Sequence, residues 1–158
     1  MLVPHNSYTN LTSAAGLGLI GFKKEDVVVD YGCMFFDSYV YASRQCKKIV
    51  GIVPSSEKFK TLQKRLVEED VKNCDLVNAN FNEQNIEGKC DCIIINCFLE
   101  QLLIEIKHNK SIFFDSKIRS KKMDNNLDET GIGFLQTVYK GLRPGGKIYL
   151  SYANKLRI

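Results

Sequence analysis

Residues 27–36 read VVVDYGCMFF. The stretch 26–31 is β-branched and apolar, with Lys24-Glu25 before it and Gly32 after it, the pattern of a short buried strand. Residues 37–46 (DSYVYASRQC) then read as a helix, with Asp37 or Ser38 as its N-cap. A strand, an Asp-x-Gly turn and a helix in that order form one end of a βαβ unit. In open α/β sheets, ligands sit outside the carboxyl ends of the strands, where the strand order reverses. A cofactor would therefore lie against residues 30–37. Turns of this kind usually carry further glycines, but here the next positions are Met34 and Phe36.

The rhythm continues on both sides. KIVGIV (48–53) is a second strand, stopped by Pro54. Residues 55–70 form the clearest helix, with Ser55 as cap and Phe59, Leu62, Leu66 and Val67 at helical spacing. CDLVNANF (74–81) and CDCIIINCF (90–98) are the third and fourth strands, the latter apolar enough to lie mid-sheet. FLEQLLIEIK (98–107) looks helical, as does ETGIGFLQTVYKGL (129–142), which two glycines weaken. Arg143-Pro144-Gly145-Gly146 reads as a turn, followed by KIYLSY (147–152) as the fifth strand. Strands separated by helices imply right-handed crossovers and a mostly parallel sheet covered on both faces: an α/β, Rossmann-like, doubly wound fold.

A second glycine string competes for attention. GLGLIG (16–21) matches G-x-G-x-x-G by letter, but the dinucleotide fingerprint must follow a strand and open a helix. These glycines precede the first strand. They read as the end of a short helix (12–19) with Gly21 as its cap.

Length and composition set the outer bounds. The 158 residues suit one domain, and 44% hydrophobic with 25% charged residues is ordinary for a globular chain. No run of about 18 apolar residues suggests a membrane span. The start, MLVPHNSYTN, lacks a secretory pattern, so the expectation is an intracellular protein, cytoplasmic with the nucleus left open. The six cysteines lie in or beside apolar strands, as reduced core thiols do. Cys90-Asp91-Cys92 lacks the spacing of a zinc knuckle, and the two histidines, His5 and His108, stand far apart, so no metal is expected. Net charge is +4, which permits an acidic partner without demanding one. The positive charge concentrates in 107–128, long for a loop in so small a domain. Between Lys107 and Lys122 there are six Lys/Arg against one acid, Asp115. Lys117, Arg119, Lys121 and Lys122 are the candidate contacts for nucleic acid or another partner there, against the plainer reading of a solvated loop.

Taken together, the segments resemble the class I S-adenosylmethionine-dependent methyltransferases over about residues 12–152. VVDYGCMFF (28–36) resembles the family's hydrophobic-hydrophobic-Asp-x-Gly-x-Gly-x-Gly motif. KIVGIVPSSEKF (48–59) is similar to its second strand and helix entrance, and LVNANF (76–81) to its third strand. KCDCIIINCFLEQL (89–102) and FLQTVYKGLRPGGKIYLSY (134–152) are the most specific matches. The resemblance implies S-adenosyl-L-methionine as cofactor and assigns roles by position. Asp30 and Gly32 would shape the turn under its methionine part. Val53 stands where an acid grips the ribose hydroxyls, and Asn80 where an Asp bonds the adenine amino group. Asn96 and Cys97 stand where cofactor meets substrate.

The departures fall on that same cofactor. Met34 and Phe36 replace glycines that let backbone approach a ligand closely. Val53 has no acceptor, and losing charge-assisted bonds of about 1.5–3 kcal/mol each would weaken binding by roughly two decades or more. The family usually adds two strands after the fifth; this chain is expected to lack them, leaving a sheet edge for a protein partner. Two functions follow from different classes. One is a pseudo-methyltransferase acting as a binding or scaffold subunit. The other is a divergent active methyltransferase of unknown acceptor.

Overall fold

The computed structural model describes residues 17–33, 36–79, 88–96 and 127–151, with positions 36–39 and 127–130 described by backbone alone. Among the described residues five strands and three helices follow one another: β1 (Val27–Tyr31), α1 (Phe36–Ser43), β2 (Lys48–Ile52), α2 (Ser56–Glu68), β3 (Cys74–Val77), β4 (Cys90–Asn96), α3 (Leu127–Gly141) and β5 (Leu142–Ser151). The strands form one sheet of order β3-β2-β1-β4-β5, and every pairing in it is parallel. This is the doubly wound order, with its reversal between β1 and β4, as the alternation of strand and helix predicts.

Successive residues of a strand point to opposite faces, and both faces here are apolar. On one face Val28, Ile49, Cys92 and Ile94 pack with Ala42 of α1 and with Leu62 and Leu66 of α2. On the other, Val29, Tyr31, Ile93 and Ile95 pack with Phe134 and Val138 of α3. The Tyr31 and Phe134 rings meet edge to face, 5.2 Å between centroids.

Local chemistry sets the ends of the elements. Ser55 caps α2, its hydroxyl accepting from the Lys58 amide at 3.3 Å. The Asp70 backbone turns left-handed (φ 51°) beyond α2, where the Val71 amide returns to the Leu66 carbonyl. Gly21 takes φ 62° after the turn at Leu17–Ile20, the cap that GLGLIG predicts. That turn is tied to β5 by Lys147, which pairs with Cys92 near the start of β4 and whose ammonium donates to the Ile20 carbonyl at 2.7 Å. It therefore lies at the amino end of the sheet, away from any ligand crevice.

Several boundaries differ from expectation. α1 begins at Phe36, so Asp37 and Ser38 lie in its first turn rather than capping it. Val67 is 81% exposed, because it sits about 100° round the helix from buried Leu66. β3 stops at Val77. Leu127 and Asp128 already belong to α3 rather than to the preceding loop. β5 starts at Leu142 and carries the predicted turn as a bulge: it spends Leu142 to Lys147 where β4 advances only from Cys90 to Cys92. Gly145 (φ 80°) and Gly146 make that bulge, and Arg143 pins it by donating to both oxygens of Asp91 at 3.0 Å. Asp91 also accepts from the Val27 amide, joining β1 to the same clamp. The expected helix 98–107 and most of the basic segment lie outside the described residues.

Candidate functional site

Because all strands are parallel, their carboxyl ends share one edge of the sheet. Asp30, Gly32, Val53 and Asn96 all fall at that edge. Met34, Asn80 and Cys97, with Lys117, Arg119, Lys121 and Lys122, lie outside the described residues.

The turn after β1 is built from two consecutive left-handed residues, Gly32 (φ 85°) and Cys33 (φ 45°). For a cysteine this conformation costs about 1–2 kcal/mol. The Gly32 amide extends the ladder to the Ile52 carbonyl at 2.8 Å, which holds the turn beside the end of β2. Cys33 is buried there, packed in the same apolar cluster as Val53.

Asp30 faces this turn and is 4% exposed. One of its carboxylate oxygens, Oδ1, has no hydrogen-bond partner among the described residues. Burial away from water favours the neutral acid and raises its pKa from 3.8 to about 7, while the Lys58 charge and the Cys33 backbone amide pull it back.

Lys58 is the residue the sequence does not single out. It sits in the first turn of α2, and its ammonium reaches across to the Gly32 carbonyl at 2.8 Å. Desolvation lowers its pKa, with the charges of Cys33 and Asp30 opposing. A second strap leaves the same helix entrance. Ser56 donates to Asn78 Oδ1 at 2.9 Å, and Asn78 Nδ2 donates to the carbonyls of Val53 (2.8 Å) and Pro54 (3.2 Å). Asn78 stands just past the end of β3.

Val53 is fully buried. Its amide bonds Val77 at 2.9 Å, and its carbonyl is taken by Asn78. Its side chain offers nothing to hold a ribose, and a carboxylate at that position would enter the core. Asn96 at the end of β4 is 4% exposed and accepts from the Ser151 hydroxyl through Oδ1.

This arrangement of sheet order, turn and crevice has counterparts among solved structures. The fold is that of the class I S-adenosylmethionine-dependent methyltransferases. A SAM-dependent methyltransferase from Aquifex aeolicus matches with TM-score 0.62 and 16% identity over 88% of this chain and 63% of its own. Phosphoethanolamine N-methyltransferase 1 of Haemonchus contortus, solved with phosphoethanolamine and S-adenosylhomocysteine, matches with TM-score 0.69 and 14% identity over 96% of this chain and 27% of its own. The [4+2]-cyclase SpnF matches with TM-score 0.64 and 11% identity over 89% of this chain and 43% of its own. The chain thus spans only part of these methyltransferase-fold proteins. No protein-family model matches the sequence, and no curated protein does.

Among the described residues, Val53 does not supply the ribose acceptor that the family resemblance implies. Two backbone carbonyls at the carboxyl ends of β1 and β2, those of Gly32 and Val53, accept from this chain's own side chains. Among the described residues no group of three or more His, Cys, Asp and Glu could hold a metal ion. Nor is any helix among them long and apolar enough to cross a membrane.

Proposed function

We propose that this chain is a binding or scaffold subunit on a methyltransferase fold, in which S-adenosylmethionine binds weakly or not at all. The observation that carries this reading is that the backbone carbonyls at the ends of β1 and β2 are held by this chain's own side chains. Lys58 holds Gly32, Asn78 holds Val53, and the Val53 side chain is fully buried. The fold by itself leaves the chemistry open, since function is set by the site. The relative described as a [4+2]-cyclase is consistent with that.

The same proposal includes a protein partner at the outer edge of β5. Among the described residues that strand pairs only with β4, and its Ile148 and Leu150 are 45% and 44% exposed. It also includes nucleic-acid contact by Lys117, Arg119, Lys121 and Lys122, and a cytoplasmic location.

One observation favours the second reading, a divergent active methyltransferase. A buried carboxylate oxygen of Asp30 lacks a partner among the described residues, and a ligand's donor group would satisfy it. Calorimetric titration with S-adenosylmethionine separates the two. A flat titration to about 1 mM supports the scaffold, whereas submillimolar binding overturns it in favour of the enzyme.

A further inference from the structure

We propose that Lys58 is a resident cation that sets the charge preference of this crevice, turning it against positively charged ligands. The inference rests on the reading that the crevice at the ends of β1 and β2 is the ligand site of this fold. It goes beyond weak binding by naming the residue responsible and the property it selects.

The geometry is specific. A lysine in the first turn of a surface helix ordinarily extends into water, because its ammonium is strongly hydrated. Lys58 instead turns inward, and its ammonium donates at 2.8 Å to the carbonyl of Gly32, 26 residues earlier in the chain. Beside that carbonyl lies Asp30, 4% exposed. Without Lys58, the buried Asp30 carboxyl and the Gly32 carbonyl would have no ammonium beside them, an electronegative site suited to a cation. With Lys58 in place, a positive charge already sits on the carbonyl and offsets the carboxylate. When Asp30 holds a proton the site is net positive; when Asp30 is ionised it is neutral. Neither state attracts a cation. At about 10 Å and an effective dielectric constant of about 20, one unit charge changes the affinity for another by roughly tenfold.

S-adenosylmethionine and S-adenosylhomocysteine form a matched pair for the test. They differ by one methyl group and the positive charge on sulfur. Ligand-detected NMR reaches the millimolar range and gives dissociation constants for both on wild type, Lys58→Met and Lys58→Arg. Lys58→Gln, with near-UV circular dichroism as a check on folding, serves if the methionine variant fails to fold. The expected result is that Lys58→Met, or its Gln substitute, improves the methionine ligand about tenfold more than the homocysteine ligand. Lys58→Arg should keep the wild-type ratio. The Gly32 carbonyl carbon shift should move in Lys58→Met and report loss of the contact.

An unchanged ratio in the neutral variant overturns the proposal. So does an absence of binding by every variant to either ligand, although the weak-binding reading then stands. If wild type binds the methionine ligand below millimolar concentration and the ratio still shifts, the scaffold reading falls and the role of Lys58 survives.

Discussion

The buried acid of the turn makes the folded state pH-dependent in an unusual direction. Asp30 has its pKa raised from 3.8 to about 7, chiefly because burial disfavours the charged form. In the unfolded chain the same carboxyl ionises near 3.8. Between those two values the folded protein holds a proton that the unfolded chain releases. The stabilisation from this group is therefore fully present below pH 3.8, falls as pH rises and is gone above about 7. Each pH unit of displacement corresponds to about 1.4 kcal/mol, so the span amounts to about 4 kcal/mol. Lys58 and the Cys33 amide are the groups that limit it. Asp30→Asn removes the titration. Urea unfolding from pH 4.5 to 8.5 should show wild type losing stability with rising pH and the variant losing much less. The variant should overtake wild type at the alkaline end, by less than the full span because an amide in the same place also lacks a partner. Lys58→Met should carry the fall in stability on to higher pH, by removing the charge that favours the carboxylate. Parallel profiles for wild type and Asp30→Asn would mean that Asp30 is ionised at its ordinary pKa, and the account of the turn would fail.

Three further outcomes follow from the same contacts. Asn78→Ala removes the strap on Val53 and Pro54 and should cost about 1–2 kcal/mol in urea unfolding; no change would mean that water replaces the amide at no cost. Gly146→Ala places a methyl group 2.8 Å from Leu142 Cδ2 and 3.0 Å from the Arg143 carbonyl, so the bulge must shift, at about 1–3 kcal/mol in the same assay. Ser55→Ala removes the cap of α2 and should cost about 1 kcal/mol, with Ser55→Thr close to wild type.

The strands were legible because a parallel sheet buried on both faces needs continuous β-branched apolar runs, and Val27–Val29 and Ile93–Ile95 are such runs. The parallel, doubly wound character of the sheet came with them, since strands alternating with helices allow few topologies. Ser55 was legible because capping is a local relation within one turn. Asp30 and Gly32 were legible as the end of a strand that borders the crevice. Lys58 and Asn78 were not. Each acts on a carbonyl about 25 residues away in sequence, and the contact exists only once β1, β2 and β3 lie side by side. Pro144 in the middle of an assigned strand was illegible for a related reason. The extra residues are absorbed by a bulge on a strand that pairs on one side among the described residues, where a missing amide costs little.

The two straps leave the same helix entrance in opposite directions. Lys58 ties the start of α2 to the turn after β1, and Ser56 with Asn78 ties it to the ends of β2 and β3. A ligand that needs the space of the Lys58 ammonium or the Asn78 amide over Gly32 and Val53 must break one or both. The Lys58 bond, made by a charged donor, contributes about 1.5–3 kcal/mol net and the Asn78 strap about 1–2 kcal/mol, so opening both costs about 2.5–5 kcal/mol, roughly 70- to 5,000-fold in affinity. That is enough to move a micromolar ligand towards the millimolar range and too little to abolish binding outright. Closure by straps therefore acts as a graded resistance, unlike the loss of an acceptor at Val53, which no opening motion restores. A variant with both straps cut, Lys58→Met with Asn78→Ala, separates the two contributions. Calorimetry should show S-adenosylhomocysteine binding regained up to, but not beyond, the share the straps withhold. Micromolar binding or tighter would mean that Val53 costs nothing, and that the straps alone keep the crevice shut.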